Sequence, residues 1–174
     1  MRRLVDSARL GAFMEALGGA ARDEARVYLT GGATALLFEW RTTTADVDLK
    51  IEPESDEILR SVPAIKEQFE INVELASPGD FIPELPRWRD RSLFIAKHGP
   101  LLFHHYDLYA QSLSKLERGH VRDLADVRQM LERRLVDPQK LGEFFEAIEP
   151  LLYRFPAIDP RAFRRAVDRA IAAS

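Results

Sequence analysis

The residues of this chain best placed to do chemistry are acids. Asp46 and Asp48 flank Val47 at the head of a segment in which Val47, Leu49 and Ile51 alternate with Asp46, Asp48, Lys50 and Glu52. At period two both carboxylates leave one strand face, close enough to share hard divalent cations, which prefer oxygen ligands. Ile71-Asn72-Val73-Glu74-Leu75 alternates in the same way and sends Asn72 and Glu74 to one side. If the two strands are neighbours, Asp46, Asp48 and Glu74 make a three-carboxylate cluster. Three packed acids repel unless cations neutralise them. A strand that only shows its acids to water has the same pattern.

Two further groups could handle an anion. Val27-Tyr28-Leu29 reads as a buried strand that runs into Gly31-Gly32, and Ala33 to Trp40 then reads as a helix. Glycines at a strand-to-helix turn let backbone N–H groups approach an anion, and an ordinary tight turn uses the same residues. Later, Lys115, Arg118 and Arg122 stand at i, i+3 and i+7 and share one helix face. Asp123 and Asp126 can hold these cations through charge-assisted hydrogen bonds. A solvated, salt-bridged helix is the plainer reading of that segment.

These residues need elements to position them. Residues 4–17 have helical spacing, with Gly18-Gly19 as the expected stop, and Ser55 opens a helix to about Phe69. Residues 76–91 hold Pro78, Gly79, Pro83 and Pro86 and read as a long ordered loop. Leu93–Ala96 and Leu101–Phe103 make a hairpin around Lys97-His98-Gly99-Pro100. Helical periods follow at 106–118, 122–134, 138–149 and 160–172, with Pro138, Pro150, Pro156 and Pro160 at boundaries or first turns. In the last of these, Phe163, Ala166, Val167, Ala170 and Ile171 form the expected buried stripe, with Arg161, Arg164, Arg165 and Arg169 around it. The order predicts an α+β fold: a core over residues 1–105 and a helical region over 106–174 packed on it.

Composition excludes several functions. The 174 residues contain no cysteine, so a disulfide framework, a Cys-based zinc site and a thiol nucleophile are ruled out. His104 and His105 are adjacent and point to opposite faces of a strand, so they cannot chelate one ion together. Ser92, Ser112 and Ser114 lack a nucleophile-elbow context. A net charge of -3 argues against holding nucleic acid by bulk charge. Asp6 and Arg9 interrupt any signal-peptide core, and the expected setting is cytoplasmic, without a membrane. Trp88, between Arg87 and Arg89, suits a loop anchor or a stacking platform for a base.

In order and spacing these motifs resemble the nucleotidyltransferase superfamily that includes DNA polymerase β. More closely, Leu29-Thr30-Gly31-Gly32-Ala33-Thr34-Ala35-Leu36, followed by Arg41-Thr42-Thr43-Thr44-Ala45-Asp46-Val47-Asp48-Leu49, is similar to the AbiEii-type minimal nucleotidyltransferases. That group includes the toxin halves of some bacterial toxin–antitoxin systems. Lys115 to Val127 is similar to its later Lys and Arg-Asp-x-x-Asp motifs, and the stretch from Glu74 to Pro86 resembles an uncharacterised bacterial branch. The likeness spans residues 29 to 127. The chain has Gly-Gly where many polymerase-like enzymes have Gly-Ser, and Glu as third acid where Asp is commoner.

The resemblance implies a mixed β-sheet flanked by helices and a metal-dependent transfer of a nucleotide from a nucleoside triphosphate to an RNA, protein or small-molecule hydroxyl. It implies that Asp46, Asp48 and Glu74 hold two Mg²⁺ ions and that Glu74 deprotonates or orients the acceptor. Thr30, Gly31, Gly32 and Thr34 would cradle the β- and γ-phosphates. Lys115, with Arg118 and Arg122, would meet the triphosphate, supported by Asp123 and Asp126. A tRNA or protein acceptor and a cognate antitoxin are the implied partners. The rival expectation is a catalytically degenerate binding or antitoxin module of the same fold.

Overall fold

Period-two segments become strands and period-3.6 segments become helices in a computed structural model that describes residues 2–174. The chain divides into two compact units, which are described separately. The first holds the residues up to Ser77 together with Ser92–Tyr106, and the second holds Pro78–Arg91 and Asp107–Ser174.

In the first unit the elements are α1 (Ser7–Ala20), β1 (Ala25–Thr30), α2 (Gly32–Leu37), β2 (Asp46–Glu52), α3 (Asp56–Gln68), β3 (Asn72–Glu74), β4 (Phe94–His98) and β5 (Leu101–His105). The strands form one sheet in the order β3-β2-β1-β5-β4. β1 is parallel to β5 and β2 to β3, while β1–β2 and β4–β5 are antiparallel, so the sheet is mixed. The α+β fold expected from sequence is therefore the one observed. Val27, Leu29, Val47, Leu49, Ile51, Leu101 and Phe103 cluster with Leu10, Phe13 and Leu17 of α1 and with Ile58 and Ile65 of α3. Removing that apolar area from water is the main favourable term holding the unit together.

Helix α1 runs through the expected glycine stop. A Cβ on Gly18 would lie 2.3 Å from the His98 carbonyl oxygen, so this glycine lets the helix press on the β4–β5 turn. Helix α2 is shorter than its pattern. It ends at Leu37, and Glu39 turns into positive φ at 64°.

The second unit contains two 3-10 turns (Pro78–Asp80 and Trp88–Arg91), then α4 (Leu108–Arg118), α5 (Val121–Glu132), α6 (Pro138–Ile148), a 3-10 run at Glu149–Arg154, and α7 (Pro160–Ala172). Caps set its boundaries: Asp107, Asp137 and Asp159 accept backbone N–H groups at the starts of α4, α6 and α7. Pro138 and Pro160 occupy first turns, where a missing N–H costs nothing. Gly119 closes α4 in the left-handed region, at φ 70°.

Residues 78–91, read from sequence as a loop in the first 105 residues, belong to this unit. Ile82, Leu85 and Trp88 are all buried. Trp88 is thus an anchor, with the Arg89 guanidinium 4.3 Å from its ring centroid. The last-helix stripe is buried only in part: Phe163 and Val167 are covered, while Ala166, Ala170 and Ile171 are half-buried. Among the described residues, no helix is long and apolar enough to cross a membrane.

Candidate functional site

Strand register decides whether the acids meet. β1 pairs Thr30 with Asp48, and β3 pairs Glu74 with Asp48 and Asn72 with Asp46. Directly paired residues point to the same side of a sheet. Thr30, Asp48 and Glu74 therefore form one row across three strands, with Asp46 and Asn72 in the next row. Asp46 and Asp48 are half-buried and Glu74 is exposed, so the face is open enough to receive a ligand.

Asn72 ties the acids together. Its Nδ2 donates to Asp46 Oδ1 at 2.7 Å and to Glu74 Oε1 at 3.0 Å. One neutral amide thus gives both of its hydrogens to two carboxylates that repel each other. The sequence placed Asn72 beside Glu74 but gave no sign of this bracing, because it depends on the pairing of two strands.

The two glycines answer different needs. Gly31 has φ 63°, and a Cβ there would lie 3.0 Å from Asp48 Oδ2. A side chain at this position would be strained and would crowd the carboxylate. At Gly32 a Cβ would overlap Thr44 Oγ1, only 1.9 Å away. Thr44 in turn donates from Oγ1 to the Asp46 carbonyl at 3.3 Å and exchanges two backbone hydrogen bonds with Val5. In the sequence Thr44 stands only as part of the Arg41–Leu49 motif, and nothing in its spacing signals its contact with Gly32.

Thr30 is 7% exposed, at the end of β1. Thr34, expected to touch phosphate, is fully buried, and its Oγ1 is 3.0 Å from His105 Nδ1. His105 stacks on Phe38 with ring centroids 4.6 Å apart. Burial, and secondarily the neighbouring His104, lowers its pKa to about 4, so its imidazole is neutral at pH 7. The Thr34 hydroxyl is thus directed toward a packed imidazole behind the Gly31-Gly32 turn.

The donor set suits Mg²⁺ in kind: three carboxylates on one sheet face, adjacent in register. Among the described residues, however, no three His, Cys, Asp or Glu side chains converge at metal-ligand spacing. Asp46 and Glu74 are instead drawn to Asn72.

Within the second unit, Lys115 lies in a cluster of its own. It is 4% exposed, and its Nζ contacts Asp126 Oδ2 at 2.7 Å and Asp123 Oδ1 at 3.2 Å. Arg118 Nη2 meets the same Asp123 oxygen at 2.9 Å. The acids hold these two cations as expected, but the Lys115 charge is spent on two buried carboxylates. Arg122 is exposed. A second buried pair had no clear signal in the sequence. Asp107, 1% exposed, accepts from Arg91 Nη2 at 2.7 Å and from Nε at 3.2 Å. Burial raises the Asp107 pKa despite that partner.

No family model, curated protein or solved structure matches this chain.

Proposed function

We propose that the first unit is a metal-dependent nucleotidyltransferase centre. The observation that carries this reading is the shared face on which Asp46, Asp48 and Glu74 are adjacent in register, with Gly31 opening onto Asp48. Asp46, Asp48 and Glu74 would hold Mg²⁺, which when bound supplies neutralisation of triphosphate charge. Glu74, the most exposed of the three, accepts the acceptor's hydroxyl proton or orients that hydroxyl. The acceptor oxygen bonds to the α-phosphorus as the bond to pyrophosphate breaks. Thr30 and the backbone at Gly31 and Gly32 are the groups beside Asp48 that would face phosphate oxygens.

In this reading Lys115, Asp123 and Asp126 build the scaffold of the second unit, and Arg118 and Arg122 are its more exposed cations. The acceptor is an RNA such as tRNA, a protein or a small-molecule hydroxyl. The setting is cytoplasmic, with a cognate antitoxin as a partner suggested by the sequence resemblance. A second reading, a nucleotide-binding or antitoxin module without turnover, is favoured by the Asn72 brace, which occupies two of the three acids.

Incubating the protein with each labelled nucleoside triphosphate and Mg²⁺ in cell extract separates the two. Label transfer that disappears in Asp46→Ala and Asp48→Ala supports the enzyme. Nucleotide binding without transfer supports the inert module, and neither binding nor transfer removes both.

A further inference from the structure

A cleft of about 870 Å³ opens within the second unit, between α5 and α7. Helix α7 packs on α4 and α6. Phe145 against Phe163 and Gly142 against Ile171 run α6 and α7 antiparallel, so the end of α7 and the turn at residues 134–138 lie together. The α7 wall is Ala166, Ala170 and Ala173, residues too small to fill the space. The facing α5 wall is Leu124, Val127 and Leu131, with Leu116 of α4 also lining the cleft. Leu124 is 41% exposed, and Val121, one turn earlier on the same side, is 87% exposed. This explains why the last-helix stripe is only half covered.

The size and shape of the cleft select its occupant. The apolar α5 wall from Leu124 to Leu131 is about 10 Å long at 1.5 Å per residue, and the α7 wall is about 10 Å. Spread over that length, the volume has a cross-section of roughly 80–90 Å², close to that of a slim helix about 10 Å across. An extended strand or an acyl tail would leave most of it empty. The cleft is also partly open to solvent, which suits a helix that buries one stripe and keeps the other face wet.

The rim adds charge. Arg128, Arg134 and Arg169 border the cleft. Arg128 and Arg134 have no carboxylate or other side-chain partner among the described residues, and Arg169 Nε donates to the Arg165 carbonyl. Glu132 and Asp137 also line it, but Asp137 is committed to capping α6. We infer that this cleft docks an acidic amphipathic helix of a partner polypeptide, its apolar stripe between α5 and α7 and its acids against Arg128 and Arg134. The inference concerns the second unit alone and stands whether or not the first unit transfers nucleotides.

The test is fluorescence anisotropy of the full chain with a labelled 15-residue helical peptide carrying leucines at i, i+3, i+4, i+7 and i+11, flanked by glutamates. Controls are a scrambled peptide of the same composition, a version with Lys for Glu, and a 15-nucleotide oligouridine RNA. Saturable binding at least tenfold tighter than both control peptides is expected. Ala170→Leu, which intrudes from the α7 wall into the cleft, should weaken it at least tenfold. Leu124→Ser on the exposed lip should do the same without disturbing the core. Arg128→Glu with Arg134→Glu should reverse the preference toward the lysine peptide. Equal binding of ordered and scrambled peptides overturns the inference. So does indifference to Leu124→Ser, or RNA bound through Arg128 and Arg134 while the acidic peptide is not.

Discussion

The two units use clustered charge in opposite ways. In the first, Asp46, Asp48 and Glu74 stand half-buried or exposed on an open sheet face, two of them braced by a neutral amide. In the second, Lys115, Asp123 and Asp126 are buried and neutralise one another at 2.7 and 3.2 Å. Buried ions lose their hydration and depend on their partners, whereas ions open to water retain both solvation and the ability to take a ligand. The first arrangement is thus available for binding, and the second is committed to holding α4 on α5. The difference shows that a lysine with two acids in sequence is no guide to a binding cation until its burial is known.

The comparison breaks most visibly at Lys115. Lys115→Met takes the buried ammonium away from Asp126 and leaves Asp123 with Arg118 as its cation, and should lower unfolding stability by about 3–5 kcal/mol, read from urea midpoints. Asp48→Asn on the open face should change the same midpoint by no more than about 0.5 kcal/mol. If the two variants destabilise equally, the contrast is wrong.

Acid should separate the units next. His105 has its folded pKa lowered to about 4, so the unfolded chain binds more protons between pH 6.5 and 4. Stability from this group is present above pH 6.5 and declines as pH falls, by up to about 1.4 kcal/mol per pH unit. Asp107, whose folded pKa is raised, works the other way: lowering the pH relieves the penalty of its buried charge. Amide hydrogen exchange at pH 7 and pH 5 should show the strands around His105 losing protection relative to α4. His105→Gln should flatten the response of the first unit.

Under the nucleotidyltransferase reading, Asp46→Asn and Asp48→Asn should each reduce label transfer more than 100-fold, about 2.7 kcal/mol in barrier, with circular dichroism unchanged. The smallest effect is expected at Asn72→Ala. Release of the brace should change transfer by about tenfold, or about 1.4 kcal/mol, and unfolding stability by less than about 1 kcal/mol. A loss as deep as that of Asp48→Asn would make Asn72 part of the reacting machinery rather than a positioning residue.

Local rules made much of this fold legible. The alternation of 46–52 gave β2, and Pro138 and Pro160 marked the starts of α6 and α7 to the residue. Requirements set by distant residues were not legible. Gly18 reads as a helix stop, yet its need for glycine comes from the His98 carbonyl. Residues 78–91 read as loop because prolines dominate them, while the burial of Ile82, Leu85 and Trp88 assigns them to the second unit. At the candidate site the acids and glycines could be named from pattern alone. The work of Asn72 depends on β2–β3 register, and that of Thr44 on contact with Gly32. Lys115 misled because lysines are rarely buried, and nothing in its spacing distinguishes an inward ammonium from an outward one.

The Asn72 bracket also makes the acidic face selective about arrival. An amide quiets the quarrel between Asp46 and Glu74 but adds no positive charge, so the face remains unwelcoming to a bare anion. Under the nucleotidyltransferase reading, a triphosphate stripped of its cation would be turned away, while one already escorted by a divalent ion would be drawn in. Asn72, which holds the two carboxylates in order, would in that reading be the group that yields them to a bound cation.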